Sequence, residues 1–268
     1  MTEFHSTLAE RAAALNLRTR VAAAFGRSAA RYDHYAALQR QVADGLLTKL
    51  PQQNFSTVLD LGCGTGYCAQ QLQAKLPQAH LLALDVAVPM LLQARAQLES
   101  ARLVCATAEA LPLADASLDL VVSSLTLQWC DSAAVLAELQ RVLRPGGMAL
   151  ISTLGPATLR ELRAAWAVAD DRRHGNEFAD AAVLHDAAKH ASLHLDFSSE
   201  TLVRPYPSLL ALSRELKGLG ANVVASRSQS RSSPAAFRIA AAAFARHRQS
   251  DGIPVSWETY YLTLRKPA

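Results

Sequence analysis

Residues 57–153 alternate between two hydrophobic periodicities, which predict strands and helices in turn. Between the runs that read as strands, apolar residues recur at helical spacing, most clearly from Val135 to Leu143. Strand and helix in alternation predict an α/β protein, with a parallel sheet covered by helices on both faces. Five short apolar runs have the length of buried strands: TVLDL (57–61), HLLALD (80–85), RLVCA (102–106), LDLVVSS (118–124) and MALIST (148–153).

The flanking residues predict further helices and two more strands. Residues 8–50 are Ala-rich and helical in pattern, with a break expected near Gly26. Later segments predict helices over 159–169, 209–219 and 235–247, and strands over 193–203 and 257–266. The expected fold is therefore one sheet of seven mostly parallel strands with a helical lid.

The segment VLDLGCGTGY (58–67) runs from the first strand into three glycines at alternate positions. A dinucleotide fingerprint requires GxGxxG, but Tyr67 stands at its third glycine, and no GxxxxGK[ST] phosphate loop is present. Asp60 would repel a pyrophosphate and suits a ligand with a positive amino group. Asp85, at the end of the second strand, can accept hydrogen bonds from both ribose hydroxyls. A ribose together with an ammonium group indicates S-adenosylmethionine (SAM).

Four successive motifs resemble those of class I SAM-dependent methyltransferases, a family with a Rossmann-like sheet. They are VLDLGCGTG, LALDVAVPML, AEALPLADASLDLVVSSL and LRPGGMALIST, and they cover residues 57–153. Thr107 departs from the family, which often has an acidic residue there to bond the adenine amino group. The resemblance implies a lid segment (1–50), a SAM-binding core (51–153) and the remainder of the sheet with an inserted helical lid (154–268). It also implies the cofactor-binding residues Asp60, Gly62, Cys63, Gly64, Gly66, Asp85, Val86, Met90, Thr107, Ala108, Glu109 and Ser123.

The flanks resemble the malonyl-acyl-carrier-protein O-methyltransferases of biotin synthesis, over 24–47, 125–132, 152–178 and 215–224. This resemblance implies methyl esterification of a malonyl carboxylate. Such a carboxylate is ionised near neutral pH, so the reaction needs position and a dry site rather than a general base. No catalytic residue is assigned. The candidates for positioning the acceptor are Tyr32, Gln128, Trp129, His174, Arg204 and Lys217.

The net charge of +4 conceals an uneven distribution, because residues 201–268 carry ten basic and three acidic side chains. This segment is either a solvated basic face or a docking surface for an acidic partner. Because acyl carrier protein is acidic, the resemblance favours docking at Arg214, Lys217, Arg227, Arg231 and Arg238. Neither nucleic acid nor membrane is expected as a partner.

The four cysteines form no CxxC pair, and no histidine lies at zinc-ligand spacing, so no metal is expected. The absence of a signal-like start and of a long apolar run favours a cytoplasmic protein. Three alternatives remain open. They are another small-molecule O- or C-methyltransferase acting on a quinone precursor or other carboxylate, a nicotinamide-dependent oxidoreductase, and a SAM-binding module without catalysis.

Overall fold

The structure is a computed structural model that describes residues 8–172, 174–221 and 233–268, with side chains from Leu15 onward. Within these ranges the strands are β1 (Thr57–Leu61), β2 (His80–Asp85), β3 (Arg102–Cys105), β4 (Leu118–Ser124), β5 (Leu143–Leu154), β6 (His194–Tyr206) and β7 (Ile253–Arg265). They form one sheet in the order β3-β2-β1-β4-β5-β7-β6. Only β7 runs antiparallel to its neighbours β5 and β6. The predicted α/β class and mostly parallel sheet are confirmed.

The helices of the described residues are α1 (Leu8–Ser28), α2 (Tyr32–Tyr35), α3 (Ala37–Leu47), α4 (Tyr67–Lys75), α5 (Val88–Gln97), α6 (Ser132–Val142), α7 (Arg160–Ala167), α8 (Ala181–His190), α9 (Leu209–Leu219) and α10 (Pro234–Ala245). Helix α8 is an addition to the predicted elements. The break expected near Gly26 is wrong, because α1 continues to Ser28. Gly26 instead allows close packing: a Cβ there would lie 3.2 Å from Pro89 Cγ on α5.

The hydrophobic core lies on both faces of the sheet, and alternate strand residues divide between the two. Leu120 and Val122 pack with α3, α4 and α5 on one face. Val121 packs with α6 and α8 on the other. The helices that connect β1, β2 and β3 therefore cover one face, and the helix that connects β4 to β5 covers the opposite face. This change of face between β1 and β4 opens a crevice at the carboxyl ends of the two strands.

Arg141, in the last turn of α6, holds part of the loop that follows β3. Its Nη1 donates to Leu113 O at 2.7 Å, and its Nη2 donates to Leu111 O at 3.0 Å. Nη2 also pairs with Glu138 Oε2 at 2.7 Å, and this bond is the main reason that the pKa of Glu138 is lowered. The same Glu138 oxygen accepts from Leu111 N at 2.6 Å. The fork of one guanidinium thus connects a helix to two loop carbonyls.

We expect Arg141→Lys to lower the free energy of unfolding by about 1–3 kcal/mol, because a lysine ammonium cannot donate in two planar directions at once. Urea denaturation measures the change. Arg160→Lys is the matched control: Arg160 is exposed and, among the described residues, pairs with its neighbour Glu161 alone, so its loss should stay within about 0.5 kcal/mol. Equal losses in the two variants would contradict this role of the Arg141 guanidinium.

Candidate active site

The loop after β1 presents bare backbone to a cavity. Gly64 has a left-handed φ of +54°, and no atom lies within 4 Å of the place where a Cβ would be. Its N–H donates to Asp85 Oδ2 at 2.9 Å, while Asp85 Oδ1 accepts from Ala87 N at 2.8 Å. Gly62 allows the Thr126 side chain to approach the backbone closely, because a Cβ at residue 62 would clash with Thr126 Oγ1. Each Asp85 oxygen retains a lone pair for a ligand.

Gly66 has a different role from the first two glycines. It caps α4 with a φ of +96°, and a Cβ there would lie 3.2 Å from Ala94 Cβ and 3.3 Å from Leu98 Cδ1. It lines none of the three cavities described below. The third glycine of the motif therefore lets α4 pack against α5, and the structure does not place it beside a ligand.

Three adjacent cavities meet at the crevice, and each is named here after one lining residue. The Met90 cavity includes Gly62, Gly64, Asp85, Val86, Met90, Thr107, Ala108 and Glu109. The Asp60 cavity includes Gln39, Arg40, Asp60, Gly62, Cys63 and Gly64. The Trp166 cavity includes Gln128, Trp129, Leu162, Trp166, His174 and Leu216. Ten of the twelve predicted cofactor-binding residues line the first two cavities.

The two exceptions in that set are Gly66 and Ser123. Ser123 is buried, and its hydroxyl donates to Leu61 O at 2.8 Å. Its neighbour Ser124 lines the Met90 and Asp60 cavities instead.

Glu109 supplies the carboxylate that is missing at Thr107. The Thr107 hydroxyl donates to Glu109 Oε2. Glu109 Oε1 lies 3.3 Å from Arg18 Nε of α1 and accepts from Asp131 N at 3.3 Å. An acidic group therefore stands at this edge of the Met90 cavity, displaced by two residues from the family's usual position.

Asp60 is a buried carboxylate that the protein leaves unpaired. Only 1% of the residue is exposed, and neither oxygen has a hydrogen-bond partner among the described residues. Burial raises the pKa of Asp60 to about 7, and the charge of Asp85 adds to the rise. The Ala69 N–H, in the first turn of α4, opposes the rise but lies outside hydrogen-bond geometry. A buried carboxylate without a partner is unfavourable unless a ligand supplies a positive charge.

Arg40 completes the Asp60 cavity with a positive charge. Its Nη1 donates to Asp33 O at 2.9 Å. The cavity thus offers a cation and an anion, the pair that an α-amino acid zwitterion requires. No spacing in the sequence distinguishes Arg40 or Gln39 from other helix residues, so neither residue was predicted.

The six acceptor-positioning candidates divide between the Trp166 cavity and the surface. Tyr32, Gln128, Trp129 and His174 line the cavity. Arg204 Nη1 pairs with Glu215 Oε1 at 3.3 Å, and Lys217 is exposed on α9, so neither lines it.

His174 and Gln128 are both held in place by neighbouring groups. The His174 ring stacks on Trp166 with the ring centroids 3.8 Å apart, and its Nε2 lies 2.6 Å from Asp170 Oδ1. The Gln128 amide donates to Leu125 O at 2.7 Å and accepts from Thr153 Oγ1 at 3.2 Å.

Tyr32 lines all three cavities and therefore marks the point where they meet. Phe25, Leu125 and Trp129 complete the wall that the Met90 and Trp166 cavities share. Leu125 adopts a left-handed φ of +53° in this wall, which is a strained conformation for leucine. Burial, with the charges of Asp85 and Asp33, raises the pKa of Tyr32, so its hydroxyl stays protonated and can donate.

Hydrogen bonds hold the segment that carries Tyr32 against the glycine loop. The Thr65 hydroxyl donates to Asp33 Oδ1 at 2.7 Å. The Tyr67 hydroxyl donates to Asp44 Oδ1 at 2.8 Å. Helices α2 and α3 are thereby tied to the loop that lines the Asp60 cavity.

Comparison with known proteins identifies the family. Residues 59–151 match the family described as methyltransferase domain. The malonyl-acyl-carrier-protein O-methyltransferase of Dechloromonas aromatica is 41% identical over 251 residues, which are 93% of this chain and 95% of that protein. The chain belongs to the malonyl-acyl-carrier-protein O-methyltransferase family.

Two further comparisons concern a bifunctional relative and a solved structure. The biotin biosynthesis bifunctional protein BioHC of Cellvibrio japonicus is 42% identical over 255 residues, which are 93% of this chain but 50% of that protein. The solved structure of the YcgJ protein from Bacillus subtilis matches with a TM-score of 0.61 and 16% identity, covering 84% of this chain and 98% of that one. This second match shows the fold alone.

The enzyme is a SAM-dependent O-methyltransferase, and its cavities fit SAM. The unpaired Asp60 carboxylate would hold the ammonium group, Arg40 the carboxylate and Asp85 the ribose. When bound, SAM supplies a methyl group on a positively charged sulfur.

Other features of the described residues bear on cofactors and membranes. They contain no group of three or more His, Cys, Asp or Glu side chains placed to share a metal ion. No described helix combines the length and the hydropathy needed to span a bilayer. All four cysteines are free thiols.

Asp60→Asn tests this fit through stability and binding together. The pKa of Asp60 is about 7 in the fold against 3.8 in a free side chain. The unfolded state therefore ionises first as pH rises, and the burial penalty is fully present only above about pH 7. We expect the variant to unfold with a free energy roughly 1–4 kcal/mol higher at pH 8, less at pH 5, and to bind SAM at least about tenfold more weakly.

Chemical denaturation at both pH values and titration calorimetry with SAM measure the two effects. Asp196→Asn is the control, since Asp196 is exposed on β6 and should change neither quantity. Unchanged SAM affinity in Asp60→Asn would contradict the assignment of the ammonium site.

Proposed function

We propose that this methyltransferase esterifies the free carboxylate of a malonyl thioester, carried by acyl carrier protein, as an early step of biotin synthesis. The names of its relatives support the substrate. The observation that carries the proposal is the wall shared by the Met90 and Trp166 cavities. Tyr32 is its one ionisable member among the described residues, and its phenol is neutral at neutral pH because burial raises the pKa of Tyr32 further above the usual value of 10.0.

A wall of this kind suits a nucleophile that is already ionised. The acceptor carboxylate would form the new O–CH3 bond with its own lone pair while the S–CH3 bond of SAM breaks and S-adenosylhomocysteine leaves, so no proton has to move. Tyr32 can donate one neutral hydrogen bond, which orients the carboxylate without neutralising it. Phe25, Leu125 and Trp129 keep water from the reacting atoms.

A phenol or carbon acceptor, the chief alternative, requires a base at the methyl group. Among the described residues, the His174 and Asp170 pair alone favours this alternative, because a carboxylate that orients a histidine is typical of a general base. His174 lines the Trp166 cavity but not the wall that it shares with the Met90 cavity. This placement favours the carboxylate acceptor.

Incubation with methyl-labelled SAM and acylated carrier proteins tests the proposal. We expect label in malonyl carrier protein, none in acetyl carrier protein because it has no carboxylate, and none in succinyl carrier protein because its carboxylate is one carbon further away. Mass spectrometry locates the methyl ester. Absence of transfer to the malonyl form would reject the proposal.

In this proposal the three predicted segments of the chain have different roles. Residues 1–50 supply Tyr32 over the acceptor and Arg40 to SAM, residues 51–153 supply the other groups that hold SAM, and residues 154–268 form the rest of the Trp166 cavity. The four free thiols suit a reducing compartment, and we extend the proposal to a cytoplasmic location.

Carrier docking is proposed on the outer face of α9. Leu210, Arg214 and Lys217 are exposed there at helical spacing. Arg238 is exposed on α10, which packs against α9. Arg227 and Arg231 lie outside the described residues. An apolar side chain beside two cations suits an acidic helix of the carrier.

We expect the double variant Arg214→Glu, Lys217→Glu to raise KM for malonyl carrier protein about tenfold or more at low salt, with little change for a small malonyl thioester. Lys75→Glu, Arg102→Glu makes the same charge change on exposed residues of α4 and β3. This control should leave both KM values unchanged. Equal effects of the α9 variant on both acceptors would contradict docking at this face.

A further inference from the structure

Two residues that line the Trp166 cavity each have a polar side-chain atom without a hydrogen-bond partner among the described residues. Asn176 Oδ1 and Trp257 Nε1 are both buried. Trp257 is 3% exposed. The Tyr206 hydroxyl lies near its indole N–H but outside hydrogen-bond geometry, and it donates to Glu215 Oε1 at 2.8 Å. Buried polar atoms are normally paired, so both atoms indicate a ligand.

The two atoms have opposite requirements. The oxygen of Asn176 needs a donor, and the indole N–H of Trp257 needs an acceptor. A secondary amide supplies both an N–H and a carbonyl. A purely charged ligand suits the wall less well, because most of the described residues that line it are apolar. The cavity thus combines apolar surface with sites for an uncharged amide.

We infer that Asn176 and Trp257 form a subsite for a secondary amide in the thioester arm of the acceptor. This inference rests on the proposed function, since the pantetheine arm of a carrier protein contains secondary amides in series. Gln39 lines both the Asp60 and Trp166 cavities, and its Oε1 is also buried without a hydrogen-bond partner among the described residues.

Helix α9 connects this subsite to the proposed docking face. Ser213 and Leu216 line the Trp166 cavity from the inner side of the helix. Arg214 and Lys217 are exposed on its outer side. A carrier bound to the outer face would have its arm a single helix width from the cavity. The arm then leads past the amide subsite to Tyr32 at the shared wall.

Two acceptors that differ in one amide test the inference. Malonyl-N-acetylcysteamine carries an amide in its arm, and the malonyl thioester of pentanethiol has a hydrocarbon arm of similar length. Asn176→Leu removes the amide with little change of shape, and Trp257→Phe removes the indole N–H together with one ring. We expect each variant to lose about 5- to 10-fold in kcat/KM on the amide acceptor and to keep its activity on the hydrocarbon acceptor.

Ser213→Ala is the matched control from the same wall. The Ser213 hydroxyl already donates to Leu209 O at 2.8 Å, so its loss should leave the ratio of the two acceptors unchanged. Thermal unfolding and SAM affinity establish that each variant is folded. Equal losses on both acceptors, or no loss on either, would overturn the amide subsite. Failure of the unaltered enzyme to methylate malonyl carrier protein would instead reject the proposed function, and the inference with it. Failure on both small thioesters, with activity on the carrier protein retained, would overturn the amide subsite alone.

Discussion

The handedness of parallel crossovers is the constraint on which this site depends. Right-handed connections from β1 through β3 place α4 and α5 on one face, while the connection from β4 to β5 places α6 on the other. The chain therefore turns toward opposite faces of the sheet after β1 and after β4, so neither loop covers the crevice between the two strands. Asp60, Asp85 and Leu125 meet in this crevice because each lies at or near the carboxyl end of a strand.

Residues 51–153 leave the crevice open, and a segment that precedes them in the chain covers it. Helices α2 and α3 bring Tyr32, Gln39 and Arg40 over the cavities, held by the bonds from Thr65 and Tyr67. The unpaired Asp60 carboxylate lies beneath them. Its burial destabilises the ligand-free fold at neutral pH, yet this is where the positive charge of SAM is expected. The protein thus places an unfavourable interaction where binding can relieve it.

Sequence patterns predicted the inner strands well because burial on both faces leaves continuous apolar runs. β1, β2 and β4 begin and end where the pattern predicted. Patterns failed where an interaction outside the segment decides the structure. Gly26 was predicted to break a helix, but it provides room for Pro89. Gly66 was grouped with the ligand-facing glycines, but the contact of α4 with α5 explains it. Arg40 carried no signal, since its role depends on a cavity formed by other segments.

The sequence by itself determined the α/β class, the glycine loop and the carboxylates expected to face SAM. Those features are local: each follows from a strand, the turn after it and the residues next to them. Only the tertiary structure decided which polar residues meet beyond the core. It brought His174, Asn176 and Trp257 to one cavity and left Arg204 paired with Glu215 and Lys217 in solvent. The physical reason is that the Trp166 cavity is built from segments far apart in the chain, whose convergence depends on packing rather than on any local spacing.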